Sequence, residues 1–330
     1  MVSRSSNLEV FLEAATPRLP WRSAPMDCFR GPDTVWQLEK KHSVDYFTLE
    51  DLWEHYSESS AYGLAVPVHL QTTGKSITQH FVPYLSAIQI YTAKALAGVP
   101  SRSMESETDS WSDDNSVGDK DSRSWDAASS YDSSHEDLDD PTVRSKQGGY
   151  LNFQYSECDP PYERIPLADK VAELAQDYPC LTSLNSAELS PSSWLSVAWY
   201  PIYHIPYHGN LKGISACFLT YHSISTVFQD EIIVRCGGDR TVALSPFGLA
   251  TYRMEAGKRI WTEPHHMPAA AGSGSGSGGG SPNVAAAGSA RLSVSSSHSD
   301  LYWAASSWLK QVGAHHPDFN FFTAHRSAIR

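Results

Sequence analysis

The chain has no surplus of basic residues. Lys and Arg number 25 against 37 Asp and Glu, a formal net charge of −12 over 330 residues. A protein that neutralises phosphates needs the opposite balance, so direct nucleic-acid or anionic-membrane binding is not expected. Cysteine is scarce. Five residues, an odd number without a C-x-x-C, give neither a disulfide framework nor a zinc ribbon. No apolar run reaches the roughly 18 residues of a membrane-crossing helix. Glu9 and Glu13 follow Arg4 and break the apolar core that a signal peptide would need. These absences predict a reducing interior setting, cytoplasmic or nuclear, with no membrane partner.

What is present is unevenly spread. From Ser101 to Gln147 thirteen acids stand against five bases, so this stretch carries −8 of the total. It has almost no aliphatic residues, and burial cannot offset its chain entropy. The span 268–290 holds the Gly/Ser run Gly272–Ser281 flanked by alanines, the composition of a flexible linker. Both are expected to be disordered insertions.

Periodic patterns fill the rest. Ser6 and Glu9 form a capping box, and Leu8, Phe11, Leu12 and Ala15 then share a helical stripe. A second helix starts at Thr48 with Asp51 in the box position and ends at Gly63. Ala65–Leu70 and Ile77–Tyr91 read as strands. The second is apolar on both faces, as in a central strand, although Pro83 argues for a bulge. Further strands are expected at 150–155, 195–205, 213–221, 232–236, 241–244, 249–254 and 259–262, with helices at 167–178 and 300–312. Strands mostly follow strands, which predicts an α+β fold with an antiparallel or mixed β-sheet and packed helices. The expected organisation is a single domain. Its N-terminal part is 6–98 and its C-terminal part 150–264, interrupted by the insertions 101–147 and 268–290. A C-terminal segment, 298–325, carries a helix that docks on the same sheet.

Several blocks carry a resemblance. They are Phe11-Leu-Glu-Ala-Ala-Thr-Pro17, Leu49-Glu-Asp-Leu-Trp53, Ser60-Ala-Tyr-Gly63, Pro83-Tyr-Leu-Ser86, Ile88-Gln-Ile-Tyr91, Trp199-Tyr-Pro-Ile-Tyr203 and Ala216-Cys-Phe-Leu-Thr-Tyr-His222. In co-linear order they resemble the plant family called domain of unknown function 789. The resemblance spans nearly all the patterned chain. It implies a plant source and an acidic, serine-rich insertion near the middle, and it implies no activity. The family pattern carries Arg where His204 stands, which weakens any catalytic role for His204.

Motifs with chemistry are few. Gly74-Lys75-Ser76 has the tail of a phosphate loop, but His69 stands where the first glycine belongs and a strand follows. His204 and His208 share a strand face at about 13 Å, too far apart for one metal ion. His204 and Cys217 are the best base–nucleophile pair, with His222 as a third candidate; they face each other only if hairpin partners sum to 421. His265–His266 and His315–His316–Pro317–Asp318 sit beside breakers and are expected in solvated loops. Asp169, Glu173 and Asp177 mark the polar face of a helix. No cofactor and no metal site is expected.

The acidic insertion is more informative. Ser, aromatic and acid recur together around Trp111, Trp125 and Tyr131, the pattern of an acidic segment that docks through its rings. Acids stand three residues after Ser106, Ser110, Ser116, Ser129, Ser133 and Ser134, the spacing an acidophilic kinase reads. The expected function is therefore an intracellular, non-catalytic regulatory or protein-interaction module with a phosphorylatable insertion. Two alternatives stay open: an enzyme with a groove at His204 and Cys217, and a transcription-linked adaptor.

Overall fold

The structure is a computed structural model. It describes residues 5–29, 35–36, 42–70, 74–96, 144–145, 149–202, 216–228, 233–236, 239–253, 260–261 and 298–324. The elements in chain order are α1 (Asn7–Ala14), β1 (Arg18–Pro20), β2 (Arg22–Pro25), β3 (Ser43–Tyr46), α2 (Leu49–Tyr62), β4 (Leu64–His69) and β5 (Ser76–Thr92). Then come β6 (Arg144–Ser145), β7 (Gly149–Ser156), α3 (Leu167–Asp177), α4 (Cys180–Ser183), β8 (Trp194–Ile202), β9 (Ala216–Ser223), β10 (Ile233–Cys236), β11 (Asp239–Ala243) and β12 (Gly248–Arg253). The last two are α5 (His298–Val312) and α6 (Pro317–Ala324).

Local chemistry sets the first helices. Ser6 accepts from the Glu9 amide while Glu9 accepts from the Ser6 amide, and Thr48 and Asp51 do the same at α2. Each box satisfies two of the amides that a helix start leaves open. Gly63 ends α2 at φ 80°, a conformation that L side chains rarely adopt. Asn7 ties α1 to the end of β4. Its side chain accepts from the His69 amide at 2.8 Å and donates to the His69 carbonyl at 2.9 Å.

The main sheet has seven strands in the order β12-β9-β8-β5-β7-β6, with β4 also paired to β5. Every pairing in it is antiparallel. The fold is thus α+β with an antiparallel sheet, and the doubly apolar β5 is its central strand. One edge of β5 is shared: β4 takes Ser76–Phe81 and β7 takes Ala87–Thr92. The described strands leave 82–86 with a neighbour on one side only. Pro83 falls there, where its missing N–H leaves no rung open. The bulge lies three residues on. Leu85 pairs Val197 and Ala87 pairs Ser196, so Ser86 is the extra residue. Two smaller sheets are β1-β11-β10 and β2-β3; β10 and β11 fall on the expected strands at 232–236 and 241–244, while β1, β2 and β3 were not read from the sequence.

Helices cover both faces. On the inner face α1 to α4 supply Leu8, Phe11, Leu52, Tyr56, Leu167, Val171 and Leu181 to a core with Phe81, Trp199 and Phe218. Phe11 stacks on Phe218 at 4.1 Å between ring centroids, and Trp261 meets Phe218 edge-on at 5.0 Å. On the outer face α5 and α6 lay Ala305, Leu309 and Phe322 on Trp194, Ala198, Leu219, Tyr221 and Ala250. The last helix pair therefore returns to the sheet.

Three expectations need correction. Ile260 and Trp261 are helical rather than part of a strand at 259–262. Neighbours in a strand point to opposite faces, whereas these two pack on one core. Arg144 and Ser145, expected within the disordered 101–147, pair with Tyr150 and Gly149 as an edge strand. Backbone pairing to a sheet edge needs no apolar side chain. The residues after His316, expected in a solvated loop, form α6. The insertion residues Trp111, Trp125, Tyr131, Ser106, Ser110, Ser116, Ser129, Ser133 and Ser134, the stretch 268–290, His208 and His265–His266 lie outside the described residues.

The outer layer sits close to the sheet. A Cβ added at Gly248 would lie 2.8 Å from the Cβ of Ala305. Gly248→Ala is expected to cost about 1–3 kcal/mol through overpacking. Ala305→Gly costs about 1 kcal/mol alone, from helix propensity. In a urea double-mutant cycle the two changes together should cost clearly less than the sum of the singles; simple additivity would show that this contact does not set the helix–sheet spacing.

Candidate functional site

The densest polar chemistry among the described residues lies under α6, against the bulge of β5. The bulge sets Ser86 and Ala87 in succession on the outer face, between Leu85 and Ile88 of the inner core. Pro317 starts α6, which suits its fixed φ and missing N–H. That start carries His316 and Asp318 inward, 2% and 3% exposed, while Ser86 is fully buried.

The network has one direction. The Arg164 guanidinium makes two bonds to Asp318, each 2.8 Å, with side chains 4% and 5% exposed. Arg164 Nε also donates to the Asp159 carbonyl at 2.7 Å. Ser86 donates to Asp318 Oδ2 at 2.5 Å. His316 Nε2 lies 2.8 Å from Ser86 Oγ, and Nδ1 lies 2.8 Å from the Tyr221 hydroxyl. Since the Ser86 proton goes to Asp318, Nε2–H of His316 donates to Ser86 and Nδ1 accepts from Tyr221. A neutral imidazole fits that assignment. Burial pushes His316 down to about 4, against the pull of Asp318. Burial also works against the Arg164 charge, but hydrogen bonds and attraction from Asp318 outweigh it and its pKa is raised. Burial raises Tyr221 well above its ordinary value.

The arrangement is not that of an acyl-transfer triad. There the imidazole stands between hydroxyl and carboxylate, positioned to take the hydroxyl proton. Here Ser86 stands between imidazole and carboxylate, its proton already committed to a carboxylate that Arg164 holds. The group staples α6 to the central strand. Next to it, between α5 and α6, opens a cleft of about 300 Å³ whose walls include Ser306, Leu309, Lys310, His315, Phe319 and Asn320.

The residues singled out from sequence sit elsewhere. His204 lies outside the described residues. The β8–β9 register pairs Trp199 with Phe218, so the next rung sets Tyr200 across from Cys217, four positions before His204. Cys217 packs in the outer core, and burial pushes its thiol up to about 12, so it stays protonated at neutral pH. His222 is five residues along the same strand and therefore on the other face. It is fully buried, with Nδ1 2.7 Å from the Leu244 carbonyl and Nε2 2.9 Å from Thr220 Oγ1. Burial pushes it down to about 4, only partly opposed by the bond to Leu244. Asp169, Glu173 and Asp177 are exposed.

Sequence reasoning missed Arg164, Ser86, Tyr221, His316 and Asp318 as a group. One signal was there: proline in a first helical position, an acid after it, then Phe319 and Phe322 at helical spacing. Arg164 carries no local signal, because its partner lies 154 residues away.

The fold and site define an antiparallel α+β protein whose sheet is covered on both faces, with its C-terminal helix pinned by a buried ion pair. Over residues 6–322 the chain matches the family described as Protein of unknown function (DUF789), and it belongs to that family. No curated protein and no solved structure matches it.

Two outcomes follow from the staple. Asp318→Asn or Arg164→Met leaves one charge buried without its partner and should cost about 3–5 kcal/mol in urea unfolding, while Arg164→Met/Asp318→Leu recovers much of that loss. An equal loss in the double variant would mean that packing, not charge, holds α6. Stability should also depend on His316 and His222. Both have folded values of about 4 against an ordinary 6.5, so below 6.5 the unfolded chain binds protons that the folded one does not. The urea midpoint should be highest above pH 6.5 and fall towards pH 4. His316→Gln should flatten that fall even though it lowers stability at pH 7.

Proposed function

We propose that this protein is a non-catalytic regulatory or protein-interaction module that presents a phosphorylatable acidic insertion from a rigid sheet. The observation that carries this reading is a clamp at the base of the insertion. Leu96, the last described residue before it, donates its amide to Asn152 Oδ1 at 2.8 Å. The Asn152 amide group donates to Thr92 Oγ1 at 2.6 Å and to the Tyr150 carbonyl at 3.0 Å. One buried side chain on β7 thus fastens the strand that leaves the sheet to the strand that returns.

A fixed base suits presentation. With the two ends already held together, the insertion varies in sequence and charge without disturbing the body. Its acids steer a partner, and Trp111, Trp125 and Tyr131 supply anchoring rings. Phosphates on the six serines would add about −9 to −12 to a segment that already carries −8. That change is large enough to switch a contact. The chemistry calls for a protein partner with an apolar groove in a basic surround, and for an acidophilic kinase.

Proximity labelling in cells tests it with three versions: the full chain, Trp111→Ala/Trp125→Ala/Tyr131→Ala, and the six serines changed to Ala. The aromatic variant should lose a defined subset of neighbours at unchanged thermal stability. The serine variant should lose phosphate incorporation by an acidophilic kinase. Identical neighbour sets for all three would overturn the proposal.

A further inference from the structure

We propose that the cleft between α5 and α6 binds a small organic anion, a monocarboxylate with a short apolar tail. On α5 the residues Ser306, Leu309 and Lys310 recur at i, i+3 and i+4 and so share one face, with Gly313 just past the helix end. Across the corner stand His315, Phe319 and Asn320. The volume of about 300 Å³ lies at the lower end of the range for small-molecule sites.

The donor set selects the charge. Lys310 is a cation on the wall, and none of the lining residues is Asp or Glu. Ser306, only 9% exposed, brings a hydroxyl to the same wall. A serine hydroxyl on a cleft wall has a proton to donate to a ligand oxygen. The Asn320 amide adds a neutral donor at the rim. His316 also lines the cleft, but Ser86 and Tyr221 already engage both its nitrogens, so it serves as wall.

The remaining surface selects the tail. Leu309, 6% exposed, and Phe319 offer apolar wall that a bare anion would leave unused. One cation with neutral donors matches a single negative charge, and the chain's −12 disfavours an anion of higher charge. The cleft is built by α6 in its docked position, so a ligand there adds to the hold of the Arg164–Asp318 staple by mass action.

Calorimetric titration of the full chain tests this with hexanoate, hexylamine, hexanol and inorganic phosphate. Hexanoate should bind one to one and weaken with added salt, and the other three should bind at least about fivefold more weakly. Lys310→Gln should weaken hexanoate about fivefold or more, and Ser306→Ala to a lesser degree, with the melting temperature of each free variant unchanged. Lys310 is exposed, so its loss should not unfold the chain. Hexylamine binding as well as hexanoate, or hexanoate binding unaffected by Lys310→Gln, would overturn the site. Phosphate binding as well as hexanoate would overturn the apolar tail and leave a simple anion notch.

Discussion

The Arg164–Asp318 ion pair is the constraint on which the outer half of the fold depends. A sheet apolar on both faces must be covered twice. The inner cover arrives early in the chain with α1 and α2, whose caps and stripes are strong. The outer cover comes last, from two helices that the chain must bring back to a finished sheet. Apolar contact alone sets their position loosely, because Phe319, Phe321 and Phe322 give α6 several greasy edges. Burying Asp318 away from Arg164 would cost several kcal/mol, and that penalty removes the wrong rotations. A buried pair of this kind contributes little net stability, and its main contribution is register.

Legibility in the sequence follows the range of the interactions. The two capping boxes, the Gly63 stop and the α3 stripe are local, and each was readable within a few residues. The central place of β5 was readable as well, because burial on both faces writes apolar residues at both parities. Its bulge was not. Pro83 drew attention as the oddity, yet it fits a stretch with one neighbouring strand. Ser86 carries the bulge because of what lies opposite it, Val197 and Ser196 on one side and α6 above. The β8–β9 register was equally silent. Shifting it four rungs from the expected pairing keeps every face assignment intact but separates Cys217 from the position of His204.

Burial accounts for what became of the sequence-level chemistry. Cys217 and His222 lie on opposite faces of one strand, and each is held in its neutral form by the low polarity around it. His316 and Asp318 were read as loop residues because histidine, proline and acid together suggest solvent. A helix start wants proline first and acid next, and the same four residues satisfy that rule better. The competing signals were equal in sequence. The apolar spacing of Phe319 and Phe322 decides between them once Tyr200 and Tyr221 are there to receive those rings.

Two different side chains thus do similar work on neighbouring strands of the sheet. Asn152 ties Leu96 to β5 and β7, and Asp318 ties α6 to Ser86 of β5 and to Arg164. Both are polar groups buried with their partners satisfied, and such groups specify one arrangement because any other leaves them unpaired.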